Sequence, residues 1–303
     1  MANTIYSWVM NTQLPSDQTQ GHTLFDPSKS TTWKDMQGST YNITYGDSSY
    51  SWGPVGTDTV DIGGAMVTGQ AVGLPTQVSS YFTQDVYSNG LVGLGFSSLN
   101  TVKPERQKSF FENVAGTLDE PVFTARLRSD GVGEYEFGFV DHTKYHGNLI
   151  NVTVNPSGGF WEFESKYFSV GDGPLEKITS APASIADSGT SLMLVASEVA
   201  GTYYSKVKGA VFSQSSGGYV YPCKSELPNF SVAIGPSYLA TVPGSLINFT
   251  GVGKNTTTGE DLCYGGIQSN QDSNIQILGD VFLKALFVVF DMRGPSLGIA
   301  TPT

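Results

Sequence analysis

Charged side chains are scarce in this sequence, and basic ones are scarcer than acidic ones. Only 14% of the 303 residues are charged, and 16 Lys and Arg stand against 27 Asp and Glu, for a net charge of -11. Long solvent-exposed helices usually carry more charge than this, so we expect few of them. An acidic surface repels the phosphate backbone, which excludes nucleic acid as a partner.

Cysteine and long apolar runs are also scarce. The two cysteines, Cys223 and Cys263, could form one disulfide or remain two buried thiols. No apolar run is long enough to span a bilayer, so no membrane partner is expected. The start, Met1-Ala2-Asn3-Thr4, has neither the charged nor the apolar region of a signal peptide. Five N-x-S/T sequons nevertheless favour a secreted, glycosylated chain. They begin at Asn42, Asn151, Asn229, Asn248 and Asn255.

Glycine and aromatic residues are plentiful, with 36 Gly, 15 Tyr and 17 Phe. Residues 40–45 predict a strand that enters a turn at 46–48. Residues 55–62 alternate and end at Gly63-Gly64, which is a hairpin signal. Two more strands are predicted over 122–127 and 135–140. The sequence therefore predicts an all-β fold built from short strands and tight turns.

Helical patterns are few and short. A helix is predicted over 198–208, after Ser197 as its N-cap, because Val199, Tyr203 and Val207 form an apolar stripe. A second short helix is predicted over 108–114.

A weak internal repeat indicates two related halves. Residues 91–93 and 277–279 each place a glycine after two apolar residues, a pattern that lets one backbone cross closely over another. The polar stretch at 142–148 is the candidate boundary, which gives one lobe over 1–146 and a second over 147–303.

The strongest chemical signal is a carboxylate at the end of an apolar segment, in Ile185-Ala186-Asp187-Ser188-Gly189-Thr190. Backbone N–H groups and hydroxyls of the following turn would surround the Asp187 carboxylate and stabilise its ionised form. Gly189 permits a tight turn and the close approach of a substrate backbone. The segment alone is also compatible with an ordinary Asp-Ser-Gly turn between two strands.

The segments around this motif resemble the pepsin-like aspartic endopeptidases, and their fungal aspergillopepsin and penicillopepsin branch most closely. The Asp187 segment resembles the family's second active-site loop, and Tyr45-Gly46-Asp47-Ser48 resembles the flap that closes over substrate. The similarity runs from about Trp8 to the C-terminus. Further matching segments lie at 138–141, 159–163, 243–245, 263–269, 277–283, 289–291 and 297–298.

The resemblance implies a bilobal fold that hydrolyses peptide bonds in acid with water held between two aspartates, one from each lobe. Asp187 would be the catalytic residue of the C-terminal lobe. The protein would be a secreted monomer without cofactor or metal, and it would carry a Cys223–Cys263 disulfide. His142 and His146 have no acidic third ligand nearby on a predicted helix, which also argues against a metal site. The residues implied to contact a peptide substrate with apolar side chains are Tyr45, Gly46, Asp47, Ser48, Gly189, Thr190 and Ser191.

The family's first catalytic aspartate has no counterpart in these 303 residues. An Asp-Thr-Gly-Ser motif would precede the strand at residues 6–9, where the sequence reads Met1-Ala2-Asn3-Thr4-Ile5. We therefore expect an incomplete N-terminal lobe and impaired or absent activity. One interpretation is an aspartic endopeptidase whose record is truncated. The alternative is a non-proteolytic homologue that binds a peptide or hydrophobic small molecule, or an accessory enzyme of fungal metabolism.

Overall fold

The computed structural model describes residues 6–236 and 238–303, and β-strands dominate it. The predicted all-β class is confirmed. The described part of the chain divides into two compact units, in agreement with the predicted bilobal fold. Unit 1 contains residues up to 121 together with 137–139 and 156–160, and unit 2 contains the rest. The units interleave along the chain, and a single lobe boundary at residue 146 stays a prediction.

Unit 1 is built on one six-stranded sheet. Five of its strands follow the order β2-β3-β4-β1-β6, and the sixth, β5, pairs with β3. Two short helices, α1 and α2, accompany it. The strands are β1 (Trp8–Val9), β2 (Lys34–Thr44), β3 (Tyr50–Ile62), β4 (Ala65–Gly73), β5 (Gln77–Val78) and β6 (Gly90–Leu91). The helices are α1 (Ser80–Gln84) and α2 (Phe110–Val114), and 3₁₀ turns lie at Ser16–Gln18, Pro27–Lys29, Ser97–Leu99, Ala115–Thr117 and Pro156–Gly158.

The hairpin predicted at Gly63-Gly64 joins β3 to β4, and both glycines have a positive φ. The short helix predicted over 108–114 is α2. Ser109 caps it, because its hydroxyl accepts from the Glu112 N–H while the Glu112 carboxylate accepts from the Ser109 N–H. The core of this unit is rich in aromatic side chains on one face of the sheet. Its buried members include Tyr6, Trp8, Met10, Tyr41, Val55 and Phe82.

Unit 2 holds nearly all the remaining strands in four small sheets. Their orders are β8-β7-β23-β24-β9, β10-β13-β22-β14-β21, β12-β11-β17-β18 and β15-β16-β20-β19. The strands are β7 (Val122–Arg126), β8 (Glu134–Phe137), β9 (Tyr145–Thr153), β10 (Glu162–Glu164), β11 (Tyr167–Val170), β12 (Glu176–Lys177), β13 (Ala183–Ala186), β14 (Met193–Val195), β15 (Val211–Ser213), β16 (Gly218–Pro222), β17 (Phe230–Ile234), β18 (Tyr238–Val242), β19 (Asn248–Lys254), β20 (Asp261–Gly265), β21 (Ile267–Ser269), β22 (Ile275–Leu278), β23 (Phe287–Asp291) and β24 (Ser296–Pro302). The helices are α3 (Ser197–Ser205), α4 (Gly244–Ile247) and α5 (Asp280–Leu283).

The helix predicted over 198–208 is α3, but its predicted N-cap is wrong. Ala196 occupies the cap position, and Ser197 is the first helical residue. The Ser197 hydroxyl instead donates to the Asp272 carboxylate at 2.7 Å, so a tertiary partner has replaced the local cap. The predicted apolar stripe is buried as expected, with Val199, Tyr203 and Val207 at 5% exposure or less. None of the helices in the described part is both long and apolar enough to cross a membrane.

Candidate active site

The Asp187 loop, residues 187–192, connects two strands that a third strand separates. β13 ends at Ala186, and the chain returns as β14 at Met193. β22 lies between them, parallel to β13 and antiparallel to β14. The Asp187 N–H donates to the Leu278 carbonyl at 3.0 Å, so the position of Asp187 is fixed by a strand distant in the sequence.

Both oxygens of the Asp187 carboxylate accept hydrogen bonds from the turn that follows. The Gly189 N–H donates to Oδ1 at 3.0 Å, and the Thr190 hydroxyl donates to Oδ2 at 2.9 Å. These two donors fix the orientation of the Asp187 carboxyl group. The Ser191 carbonyl accepts from the Val281 N–H at 3.1 Å, which ties the loop to α5. The loop therefore brings Asp187, Gly189 and Thr190 together, whereas their roles in catalysis and substrate binding stay predictions.

Gly279 makes the crossing of the backbone possible. Its N–H donates to the Leu192 carbonyl at 3.1 Å, and the next N–H, of Asp280, donates to the Thr190 carbonyl at 2.8 Å. A Cβ atom on Gly279 would lie 2.1 Å from the Thr190 carbonyl oxygen and 2.3 Å from that of Leu192. Only glycine fits at this contact, so the apolar-apolar-Gly pattern at 277–279 has the close-approach role that the sequence predicts.

Two polar side chains near the loop were given no role by the sequence analysis. Burial raises the pKa of Asp280 to about 6, and the negative charge of Asp187 adds to this while Lys284 opposes it. The Asp280 Oδ1 atom is buried and accepts no hydrogen bond within 6–236 and 238–303. Tyr135 hydrogen-bonds the Ser188 side chain, and burial is the main cause of its raised pKa. Asp280 could have been found, because it directly follows the crossing glycine. Nothing in the local pattern marks Tyr135.

The flap turn, residues 45–49, closes the hairpin between β2 and β3 in unit 1. The Tyr45 N–H donates to the Ser49 carbonyl, and the Ser48 N–H donates to the Tyr45 carbonyl. Asp47 braces the turn, since its Oδ1 accepts from the Ser49 N–H at 2.9 Å and from the Ser49 hydroxyl at 2.6 Å. Ser48 adopts a left-handed φ of 69°. Gly46, Asp47 and Ser48 are exposed at the tip, while Tyr45 is partly buried.

Aromatic packing holds Tyr45 at the base of this turn. The Trp8 indole N–H donates to the Tyr45 hydroxyl at 2.9 Å. The Phe82 ring meets both side chains edge to face, at 4.9 Å from Trp8 and 5.6 Å from Tyr45. Burial raises the pKa of Tyr45 to about 12, although the bond from Trp8 lowers it. Tyr45 is therefore a neutral hydroxyl throughout the acid and neutral range. Phe82, on α1, was not predicted as part of this cluster.

The predicted disulfide between Cys223 and Cys263 is confirmed. It joins the end of β16 to β20, which are neighbours in one sheet. The histidines contact other groups: the His142 ring contacts the Tyr145 hydroxyl, and the His22 ring lies 3.1 Å from the Ser88 carbonyl. In the part of the chain with described structure, no group of three or more His, Cys, Asp or Glu residues is arranged to hold a metal ion.

Comparison with known proteins identifies the family. The model of the eukaryotic aspartyl protease family matches residues 5–302. The chain belongs to this family. A relative from Aspergillus fumigatus, whose name describes an aspergillopepsin A-like aspartic endopeptidase, is 63% identical over 295 residues, which cover 97% of this chain and 69% of the relative. The aspartic protease PEP3 of Coccidioides posadasii is 53% identical over 296 residues, or 97% and 67% of the two chains. Aspergillopepsin-1 of Aspergillus flavus is 44% identical over 294 residues, or 97% and 70%.

Membership of the aspartyl protease family agrees with the resemblance seen in the sequence. The predicted site residues of this family member fall into two sets, and each set is brought together within its own unit. Asp187, Gly189 and Thr190 meet in unit 2, and the flap turn is assembled in unit 1. Family membership also fits the geometry of the Asp187 loop, which places a carboxyl group with two fixed hydrogen-bond donors at the end of a buried strand.

Proposed function

We propose that this chain is an aspartic endopeptidase in which Asp187 is the C-terminal lobe's half of the catalytic pair. The observation that carries the proposal is the geometry of Asp187. This residue directly follows the buried strand β13, and each oxygen of its carboxylate accepts a hydrogen bond. A carboxylate held in this way can accept a proton from water while its own orientation stays fixed. Family membership and the names of the relatives support the same reaction class.

Hydrolysis of a peptide bond in this way needs a second carboxyl group. One carboxylate removes a proton from the attacking water, and a neutral partner stabilises the oxyanion and protonates the leaving amine. The pattern Asp-Ser/Thr-Gly-Ser/Thr occurs once in the 303 residues, at Asp187. We propose that the 303-residue polypeptide by itself has little or no peptidase activity, and that a segment carrying the partner aspartate is required.

The proposed substrate is an extended peptide or protein with apolar side chains. The flap turn supports an extended peptide as substrate, because Gly46 and Ser48 are exposed at its tip, where a peptide backbone can approach. Trp8 and Phe82 contact Tyr45 and hold its side chain in place. We further propose that the protein acts as a monomer and is secreted. The disulfide supports export, since such bonds persist in oxidising compartments.

The proposal is tested by rebuilding the catalytic pair. A designed N-terminal segment that carries an Asp-Thr-Gly-Ser motif is placed before Tyr6, and a matched chimera carries Asn-Thr-Gly-Ser instead. Peptide cleavage is measured in acid with and without a pepsin-type transition-state inhibitor. We expect the Asp chimera to cleave the peptide and the Asn chimera not to. The Asp187→Asn variant of the Asp chimera should cleave it at least about a thousandfold more slowly.

Two results would contradict the proposal. Inhibitor-sensitive cleavage by the 303-residue polypeptide, abolished by Asp187→Asn, would show that one aspartate motif suffices. An Asp chimera that folds and binds the inhibitor but cleaves nothing would instead favour the non-proteolytic binding protein.

A further inference from the structure

The sequon at Asn42 differs from the other four in what its carboxamide contacts. Asn42 lies on β2, is exposed, and makes no side-chain hydrogen bond within the described part of the chain. N-glycosylation joins a sugar to the Nδ2 atom, so a carboxamide that is not already fixed can turn to carry the sugar outward. Asn42 is followed by Ile43 and Thr44, which complete an Asn-x-Thr sequon.

The carboxamides at the other sequons are engaged or crowded. Asn229 Oδ1 accepts from the Gly244 N–H, and Asn248 Oδ1 accepts from the Tyr221 hydroxyl. Asn255 Oδ1 caps a turn by accepting from two successive N–H groups. Asn151 Oδ1 lies so near Gly298 that a Cβ there would be 3.0 Å away. Each of these contacts restricts the directions that an attached sugar could take.

An exposed tryptophan stands directly opposite Asn42 on the neighbouring strand. Asn42 pairs with Trp52 in the antiparallel register of β2 and β3. Side chains opposite one another in such a pair lie on the same face of the sheet, with Cβ atoms about 5 Å apart. Trp52 is 41% exposed, so part of its apolar ring surface faces solvent. The C–H face of a sugar ring can cover such an aromatic surface.

Asn42 also lines a hollow of about 380 Å³ on the surface of unit 1. The segment 98–106 supplies most of its other wall, including the cationic side chains of Lys103 and Arg106. Thr101 lines the hollow too, and its buried Oγ1 atom has no hydrogen-bond partner among the described residues. Lys103 is held in place because its backbone exchanges two hydrogen bonds with Thr40. The hollow thus offers hydrogen-bond donors and an unsatisfied hydroxyl beside the sequon.

We propose that Asn42 carries an N-linked glycan whose first sugars rest on Trp52 and in the hollow lined by residues 98–106. The modification class is an N-glycan that begins with N-acetylglucosamine, whose hydroxyl and acetamide groups match the donors of the hollow. The inference rests on the proposed secretory route, because the modification occurs only there. Its structural role is to cover the exposed Trp52 ring and to restrain the segment 98–106.

The experiment uses the full 303-residue chain, directed into a yeast secretory pathway by a cleavable leader. Because the leader brings the chain into the secretory pathway, an unmodified Asn42 would show that the glycosylation site is wrong, whatever the natural route of the protein. Natural export is tested separately, by looking for the protein in the culture medium of its native host. Occupancy of each sequon is measured by mass spectrometry after enzymatic deglycosylation in heavy-oxygen water. We expect Asn42 to be occupied in most molecules. Thr44→Ala should abolish that occupancy, whereas Thr44→Ser, which keeps the sequon, should retain it.

The resting place is tested by amide hydrogen exchange. Removal of the glycan should speed exchange in 98–106 by about twofold or more. Trp52→Ala should leave occupancy unchanged but remove most of this difference. An unoccupied Asn42 in the exported chain overturns the site, whatever the state of the other sequons. An occupied Asn42 whose removal leaves exchange in 98–106 unchanged overturns the resting place on Trp52 and the hollow.

Discussion

The Asp187 loop and the flap turn are both short polar segments between strands, but they are held in different ways. The flap turn closes a hairpin of consecutive strands, and the hydrogen bonds within the turn join residues 45–49, although Trp8 also bonds the Tyr45 hydroxyl. The Asp187 loop depends on β22, a strand far downstream, and on the glycine that follows it. The difference shows that a site residue can be fixed by local turn chemistry or by a distant crossing, and the two should fail differently when mutated.

The crossing at Gly279 is the point where mutation should have the largest effect. Gly279→Ala places a methyl group against two carbonyl oxygens, so we expect a loss of about 3 kcal/mol or more in the free energy of unfolding. Denaturant unfolding measures this, and Gly116→Ala is the control, because a Cβ at Gly116 meets nothing within 4 Å. Equal stability of the two variants would show that the crossing relaxes around the methyl group.

The carboxyl group of Asp280, which follows the crossing glycine, should make the stability of the protein depend on pH. Its folded pKa of about 6 lies above the ordinary value of 3.8, so the neutral form is favoured by folding. Its contribution to the free energy of unfolding is therefore complete below pH 4 and is lost as the pH rises through 6. A shift of two pKa units corresponds to a loss of up to about 3 kcal/mol. Residual exposure of the side chain should keep the effect below this limit.

Asp280→Asn removes that titration. We expect wild type and variant to unfold with similar free energies at pH 4, and the variant to be the more stable of the two at pH 7.5. Asp172→Asn, at an exposed position of the same unit, is the control. A difference between wild type and Asp280→Asn that stays constant from pH 4 to 7.5 would contradict the assignment.

Mutation of the flap turn should change the free energy of unfolding less than mutation of the crossing, and it should raise it. Ser48 has a left-handed φ of 69°, which costs a non-glycine residue about 1 kcal/mol or more. Ser48→Gly should relieve this strain, although the greater freedom of glycine in the unfolded chain offsets part of the gain. We expect a net stabilisation of about 0.5 kcal/mol. The reverse change, Gly38→Ser at φ 77° with open space around it, should destabilise by about 1 kcal/mol.

Local patterns predicted what local chemistry decides. The hairpin at Gly63-Gly64, the helix after Ser109 and the crossing glycine at 279 each follow from a few adjacent residues. The cap of α3 could not be predicted, because Ser197 bonds Asp272, which is remote in sequence. Tyr135 was missed for the same reason, because its contact with the Asp187 loop exists only once distant segments have packed together. Asp280 was also missed, although its place directly after the crossing glycine could have marked it.

The dependence of the Asp187 loop on β22 also sets an order of events during synthesis. The bond from the Asp187 N–H to Leu278 and the bonds to Gly279 and Asp280 cannot form while residues 275–280 are still inside the ribosome. Non-local pairings of this kind form late, after the entropy of closing a long loop has been overcome. A nascent chain stalled before residue 275 would therefore display a finished flap hairpin and an unfinished Asp187 loop, so the acidic residue of the site acquires its fixed geometry only after residue 280 has left the ribosome.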